Sequence, residues 1–314
     1  MRRLIAIVGP TGAGKTDLAL ALAVEFSGEI VSCDSVQVHT GLNIGSAKTP
    51  VNLRRSIPHH MIDILPPEGE LTAGAYARRA RMALADIAAR EKVPILVGGT
   101  GFYLRALLDG LSPAPERDPD LRGRLARMES GHPGYLHRYL RRFDPSAASR
   151  IHRKDLPKLT RAVEIMTRAG RPTSEIQREP RTPLIGFSVL KIGLAPDRAE
   201  LRRRIDLRTL RMFEGGLIDE TRTIIEAGCP PNAKALQSLG YRQAVEVLSG
   251  QSSLDKAVVE CQLKTRQYAK RQMTWFRRDV SIRWLAGFGT DPPVQQDAIE
   301  RTRHWLLTSS VVRL

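Results

Sequence analysis

The stretch VGPTGAGKT, residues 8–16, limits what this chain can fold into more than any other feature. Gly9, Gly14, Lys15 and Thr16 satisfy G-x-x-x-x-G-K-[ST]. In that pattern a glycine-rich turn joins a buried strand to a helix N-terminus, so that backbone N–H groups surround a phosphate. The flanks comply. RLIAIVG (3–9) is an apolar run of strand length, and DLALALAVEF (17–26) has a helix pattern. EIVSCD (29–34) reads as a second buried strand ending at Asp34, AYARRARMALADIAAR (75–90) as a helix, and VPILVGGTG (93–101) as a strand running into glycines. Strands alternating with helices imply an α/β fold with a mainly parallel sheet covered on both faces.

The alternation stops at LSPAPERDPD (111–120). From 113 to 185 the chain carries helix signals, no convincing strand, and sixteen Arg and Lys against nine Asp and Glu, the mark of a basic all-helical insertion. SVLKIGLAP (188–196) resumes the strand pattern, so the expected organisation is a core at 1–112, the insertion at 113–185 and core completion with basic helices at 186–314. DLRTLRMFEGGLIDETRTIIEAG (206–228) reads as two helices broken at Gly215-Gly216. LDKAVVECQLKTRQYAKRQMTWFRR (254–278) is one strong helix, SIRWL (281–285) a final strand, and 287–297 a loop.

Charge enters because 314 residues carry a net +16. Such a balance favours a polyanionic partner, nucleic acid or an anionic membrane, although a host with a basic proteome gives the same number. No apolar run nears the roughly 20 residues of a membrane span. MRRLIAIVGP resembles a leader only superficially, since its apolar part runs straight into the phosphate loop. Cys33, Cys229 and Cys261 lie far apart, so neither a disulfide framework nor a zinc site is expected, and a reducing cytosol is the simplest compartment.

Read from the residues alone, the loop calls for a di- or triphosphate, with Lys15 as mobile charge and the Thr16 hydroxyl as a ligand for Mg²⁺. Asp34, at a strand's C-terminal end, sits where open α/β sheets bind ligands. It suits an Mg²⁺ aspartate, a general base, or a mere turn cap in CDSVQ. GGTG (98–101) offers close approach and the Thr100 hydroxyl, or else a plain turn. His59 and His60 in IPHHMIDI point to opposite faces of an extended segment and share no metal easily. On the long C-terminal helix, Arg266, Lys270 and Arg277 align, Gln267, Arg271 and Arg278 form an adjoining stripe, and Val258, Ala269 and Phe276 gather on a face that can dock on the core. Arg and Gln beside Tyr268 and Trp275 suit RNA better than plain solvation.

GPTGAGKT, DSVQVHTGLNIGSAKT, IPHHMIDI, LVGGTGFYLRALLDGL, RAVEIMTRAGRPTSE, LQSLGYRQ and KTRQYAKRQMTWFRR occur in order from residue 4 to about 285. Together they resemble the bacterial type of the tRNA isopentenyltransferase (dimethylallyltransferase) family. The resemblance implies a P-loop-type core with a helical insertion, a cytoplasmic, monomeric enzyme, and transfer of a dimethylallyl group from dimethylallyl diphosphate to the N6 amine of the adenosine 3′ to the anticodon in tRNA. It implies that Gly9, Thr11, Gly12, Ala13, Gly14, Lys15, Thr16 and Arg222 hold the diphosphate with Mg²⁺, that Asp34 is the base, and that Thr100 lies beside the reacting centre. It assigns tRNA contacts to Asp34, Ser35, Val36, Gln37 and Thr100, to Arg122, and to Pro157, Lys158, Leu159, Thr160 and Arg161. Further contacts are Gln237, Ser238, Leu239, Gly240, Tyr241 and Arg242, then Lys264, Thr265, Arg266, Gln267, Tyr268, Ala269, Lys270 and Arg271. The C-terminal zinc finger of eukaryotic relatives has no cysteines here.

Three other readings compete. A small-molecule kinase explains the loop but not the Arg/Gln-rich helix. An isopentenyltransferase acting on free AMP or ATP leaves the basic insertion unexplained. A non-catalytic RNA-binding module leaves the intact Gly-Lys-Thr and Asp34 without a purpose.

Overall fold

The computed structural model describes residues 1–308, so the expectation for the tail beyond 308 lies outside it. The chain divides into two compact units, one built from Met1–Leu107 and Leu184–Leu314, the other from Leu108–Pro183.

In the first unit six strands form one sheet: β1 (Arg2–Val8), β2 (Gly28–Ser32), β3 (His59–His60), β4 (Val93–Val97), β5 (Phe187–Leu194) and β6 (Arg283–Leu285), in spatial order β3-β2-β4-β1-β5-β6. Every pairing among the described residues is parallel, with Ile5 opposite Ile95 and Leu190 on either side and Ile30 opposite Ile95. Buried on both faces, these strands read as continuous apolar runs rather than alternating ones. Helices α1 (Lys15–Glu25), α2 (Val51–Ser56), α3 (Ala73–Ala89) and α4 (Gly101–Leu108) follow the first four strands in turn, α2 and α3 on either side of β3. The strands all run the same way, so the turns after β1, β2 and β4 leave one edge of the sheet together. That edge is where such sheets bind ligands.

In the second unit five helices, α5 (Pro119–Gly131), α6 (Tyr135–Phe143), α7 (Pro145–Arg150), α8 (Leu156–Ala169) and α9 (Thr173–Ile176), enclose a core of Leu121, Leu125, Leu136, Leu140, Leu159 and Val163. Three of them start on an aspartate cap. Asp118 accepts from Leu121 N–H at 2.9 Å, Asp144 from Ala147 N–H at 2.9 Å and Asp155 from Lys158 N–H at 3.3 Å, each just before a proline in the first turn. The unit starts at Leu108, ahead of the break read from the sequence, and ends at Pro183.

Back in the first unit, α10 (Arg198–Glu214), α11 (Leu217–Glu226), α12 (Tyr241–Leu248) and α13 (Leu254–Phe276) build a second helical core around Leu42, Phe213, Leu217, Tyr241 and Cys261. The break at Gly215-Gly216 is present, with Gly216 at φ 95° heading α11. The loop expected at 287–297 is corrected: α14 (Pro292–Thr308) begins inside it and lays Val294, Ala298 and Trp305 into the sheet's core with Leu18 and Leu22. The Asp291-Pro292-Pro293 stretch inside that range is a helix start. Asp291 accepts from Phe288 N–H at 2.8 Å, and proline is preorganised for the first helical turn. No described helix is long and apolar enough to cross a membrane.

Candidate phosphate and RNA site on the sheet edge

The turn after β1 is held from three sides. Gly14, at φ 80°, packs on Gly289, whose N–H donates to Ala13 O at 2.9 Å, while the turn at Gly12 rests on Ile205 and Leu201 of α10. From α13, Gln272 accepts from Thr11 N–H at 2.8 Å. The first internal bond of α1 runs from Leu18 N–H to Gly14 O, so the N–H groups of Lys15, Thr16 and Asp17 are left at the helix's open end, the ordinary seat of an anion.

Two cations converge on this turn without an acid to neutralise them. Lys15 Nζ donates to Pro10 O at 2.8 Å, and Arg208 of α10 donates from Nη2 to Thr11 Oγ1 at 2.6 Å. Among the described residues neither forms an ion pair. Burial, and after it the Arg208 charge, pushes the Lys15 ammonium down to about 8, with Asp34 pulling the other way. Burial also lowers Arg208, again against Asp34. Two half-buried like charges within electrostatic reach of each other are costly unless an anion joins them.

Asp34 stands within electrostatic reach of both. Its Oδ1 accepts from Val36 N–H at 2.8 Å and Gln37 N–H at 3.3 Å, which fixes the carboxylate; Oδ2 has no partner among the described residues. Beside it, Thr100 Oγ1 accepts from Ser35 N–H at 3.2 Å, and Thr100 N–H donates to Cys33 O, locking the turns after β2 and β4 together. Tyr268 of α13 lies near both; burial, and next the Asp34 charge, lifts its phenol to about 12 against the influence of Thr100, so it stays neutral. Asp34, with Thr100 and Tyr268 near it, is thus gathered within electrostatic reach of Lys15 and Arg208. The arrangement provides a fixed proton acceptor next to a seat for a leaving anion.

The structure corrects one member of the expected diphosphate clamp. Arg222 is exposed on α11 and paired with Asp219 at 2.5 Å, a contact of one turn. The guanidinium at the loop is Arg208, missed because its neighbourhood matches no motif. A signal existed: Arg208 lies three residues after Ile205, on the stripe that Leu201, Ile205 and Thr209 bury. A cation on an apolar stripe needs a reason.

The expected RNA contacts divide. Ser35, Gln237, Arg242, Lys264, Gln267, Lys270 and Arg271 are exposed, with Arg271 lying over the Tyr268 ring at 5.8 Å and Arg242 held by Glu246 at 2.9 Å. Pro157 and Lys158 are exposed too, Lys158 paired with Asp155. Val36, Gln37, Thr160, Ser238 and Leu239 are half-buried, and Gln37 is turned inward, accepting from Ser32 Oγ and donating to Ser46 O. Four others are corrected. Leu159, Tyr241, Thr265 and Ala269 are buried in cores, so their side chains are out of reach of a ligand. Tyr241 packs its ring on Gly45 and donates to Glu220 at 2.6 Å, and Glu220 in turn accepts from Asn43 and Ile44 N–H: it scaffolds the loop after β2. Gly240, at φ 89°, opens α12. Arg122 and Arg161 are tied to the buried Glu164, and Arg266 to Asp206 at 2.6 Å. Trp275 packs against Gly101, beneath Arg105, at the start of α4. His60 pairs with Glu29, His59 Nδ1 bonds Ile57 O, and no group of three or more His, Cys, Asp or Glu among the described residues is placed to hold a metal.

Comparison with known proteins places the chain in a family. The family model described as IPP transferase matches residues 37–279. A tRNA dimethylallyltransferase of Solibacter usitatus is 50% identical over 303 residues, covering 96% of this chain and 99% of its own length. Among solved structures, the tRNA delta(2)-isopentenylpyrophosphate transferase of Staphylococcus epidermidis is 34% identical with a TM-score of 0.69, covering 98% of this chain and 100% of that one. A eukaryotic dimethylallyltransferase solved acting on tRNA is 27% identical with a TM-score of 0.83, over 98% of this chain and 80% of that one. With that family model spanning most of its length and such relatives matching end to end, this chain belongs to the IPP transferase family.

Proposed function

We propose that the chain is a tRNA dimethylallyltransferase, moving the dimethylallyl group of dimethylallyl diphosphate to the N6 amine of the adenosine 3′ to the anticodon, as a soluble, cytoplasmic and monomeric protein. The observation that carries the reading is the placement of an anchored carboxylate, Asp34, within electrostatic reach of two half-buried cations that form no ion pair among the described residues, Lys15 and Arg208. An adenine N6 lone pair is delocalised into the ring and is a weak nucleophile. As its bond to the prenyl carbon forms and the carbon–oxygen bond to diphosphate breaks, the N6 proton passes to Asp34 Oδ2 and the leaving electron pair stays on diphosphate. There Lys15, Arg208 and the N–H groups opening α1 stabilise it. Thr100 and Tyr268 border the acceptor side. Taking the base out of a single-stranded anticodon loop costs only a few kcal/mol.

The donor set fits Mg²⁺ only as a companion of the diphosphate. Thr16, in the first turn of α1, is the ligand at hand, and among the described residues no group of three or more His, Cys, Asp or Glu is placed to cage the ion. Bound there, the ion would add charge stabilisation to the departing diphosphate. Exposed Lys270, Arg271 and Gln267 on α13, with Ser35 and Arg242, supply the RNA-facing surface.

The test mixes protein and Mg²⁺ with radiolabelled dimethylallyl diphosphate and either unmodified tRNA or AMP. Label in tRNA alone supports the reading. Label in AMP moves the substrate to a free nucleotide, and ATP turnover without prenyl transfer would replace the activity altogether.

A further inference from the structure

Gln272 sits at the C-terminal third of α13, is 5% exposed, and spends both ends of its amide on the site. Oε1 accepts from Thr11 N–H of the phosphate loop at 2.8 Å, and Nε2 donates to Gly99 O, the residue before Thr100, at 2.9 Å. A Cβ on Gly99 would lie 2.1 Å from Nε2 and 3.8 Å from Lys15 Nζ, so the glycine there is what lets the amide pass between the two turns. Thr11 also accepts from Arg208, which makes one residue of the loop the meeting point of the cation and the amide. The helix that supplies Gln272 carries Tyr268 one turn earlier and the exposed Lys270 and Arg271 beside it.

We propose that Gln272 is a positioning residue that sets the distance between the diphosphate seat and the acceptor-side Thr100, so that α13 registers donor and RNA against each other. This rests on the transferase reading above. The amide touches neither substrate. It acts through Thr11, whose hydroxyl aims Arg208, and through Gly99, whose carbonyl precedes Thr100. A glutamate in its place can still accept from Thr11 N–H but sets a carboxylate against Gly99 O and beside the diphosphate. A leucine of similar size leaves Thr11 N–H without its partner and removes one of the two donors to Gly99 O, which also accepts from Gly101 N–H at 3.1 Å. No exposed side chain of α13 is altered by either change, so a loss confined to donor handling isolates the amide's role.

The experiment compares wild type, Gln272→Leu, Gln272→Glu and, as a matched packing control on the same helix, Phe276→Leu, whose side chain is buried one turn on. Calorimetric titration with inorganic diphosphate and Mg²⁺ and filter binding of unmodified tRNA are read beside prenyl transfer and thermal unfolding. Both Gln272 variants should bind diphosphate about 10- to 100-fold more weakly and turn over more slowly by a similar factor, with tRNA affinity within about twofold of wild type. Phe276→Leu should lose thermal stability yet keep diphosphate affinity. Gln272 variants that bind diphosphate and turn over as wild type overturn the proposal. So does a parallel loss of tRNA and diphosphate binding that Phe276→Leu reproduces, because the residue is then ordinary packing, and so does failure of both Gln272 variants to fold while Phe276→Leu folds. Wild-type protein that binds neither diphosphate nor tRNA would sink the transferase reading itself, a result distinct from all of these.

Discussion

Two charge clusters, one in each unit, both combine a carboxylate with two cations and end in opposite states. In the helical unit Glu164 is wholly inaccessible, and its carboxylate accepts from Asp118 N–H at 2.8 Å, from Arg122 at 2.9 and 3.1 Å and from Arg161 at 2.7 Å. Burial by itself would raise this carboxyl; the Arg122 bonds, the Asp118 N–H and Arg161 outweigh burial and hold it at about 2. Every lone pair is used. At the sheet edge, among the described residues, Lys15 and Arg208 bond only a carbonyl and a hydroxyl, and the nearby carboxylate keeps one oxygen unbonded. A saturated cluster holds a fold together, whereas an unsaturated one waits for a ligand. The difference separates arginines tied to a buried carboxylate, Arg122 and Arg161, from an arginine no motif announced that is tied to none among the described residues.

If that distinction is right, the largest effect belongs to the unsaturated side. Asp34→Ala should lower turnover by about 10²–10⁴-fold, roughly 2.7–5.5 kcal/mol, with little change in tRNA affinity; a near-normal rate in a single-turnover assay removes Asp34 from the chemistry. On the saturated side, Glu164→Ala strands two guanidiniums and should destabilise the helical unit by about 3–5 kcal/mol, read as lost hydrogen-exchange protection in α5 and α8. Because this carboxyl is held below its ordinary value, the stabilisation is full above about 4.5 and is lost as pH falls toward about 2. Acid unfolding of that unit insensitive to Glu164→Gln would contradict the ledger of bonds.

Arg208→Ala should cost about 10²–10³ in kcat/KM for the prenyl donor. Arg222→Ala, which breaks only an exposed pair, should change it by about twofold at most. Equal losses would restore Arg222 to the clamp. Donor affinity should be flat at lower pH and fall as pH rises through about 8, since the protonated Lys15 is the form that binds an anion; in Arg208→Ala the fall should move to higher pH, as a neighbouring like charge has gone. The smallest expected effect is at the surface: Lys270→Ala should flatten the log–log salt dependence of tRNA binding by about 0.7, the value of one phosphate contact. Arg266→Ala, already tied to Asp206, should flatten it less.

Much of this was legible in the sequence because local rules suffice for it. Gly9 to Thr16 prescribe a strand, a turn and a helix, and the apolar runs at 3–8, 29–32 and 93–97 can only be buried parallel strands; Asp34 and Thr100 followed from lying just past their ends. What stayed hidden depends on pairings far apart in the chain. Arg208 reaches Thr11 across 197 positions and Gln272 reaches Thr11 across 261, and no spacing rule connects such residues. Within segments the resemblance was read too evenly: KTRQYAKR is a helix, so Thr265 and Ala269 must face inward when Lys264, Gln267 and Lys270 face out. The start of α14 carries no clear local mark, because proline both ends one helix and begins the next.

The most direct test of the unsaturated site is a paired titration of wild type and Arg208→Ala with dimethylallyl diphosphate and with ATP, both with Mg²⁺. The prenyl donor should bind wild type more tightly than ATP, resist displacement by it, and lose about 100-fold in affinity when Arg208 is removed. Tighter binding of ATP, or donor binding indifferent to Arg208, would mean that the two cations are not the seat of the prenyl diphosphate.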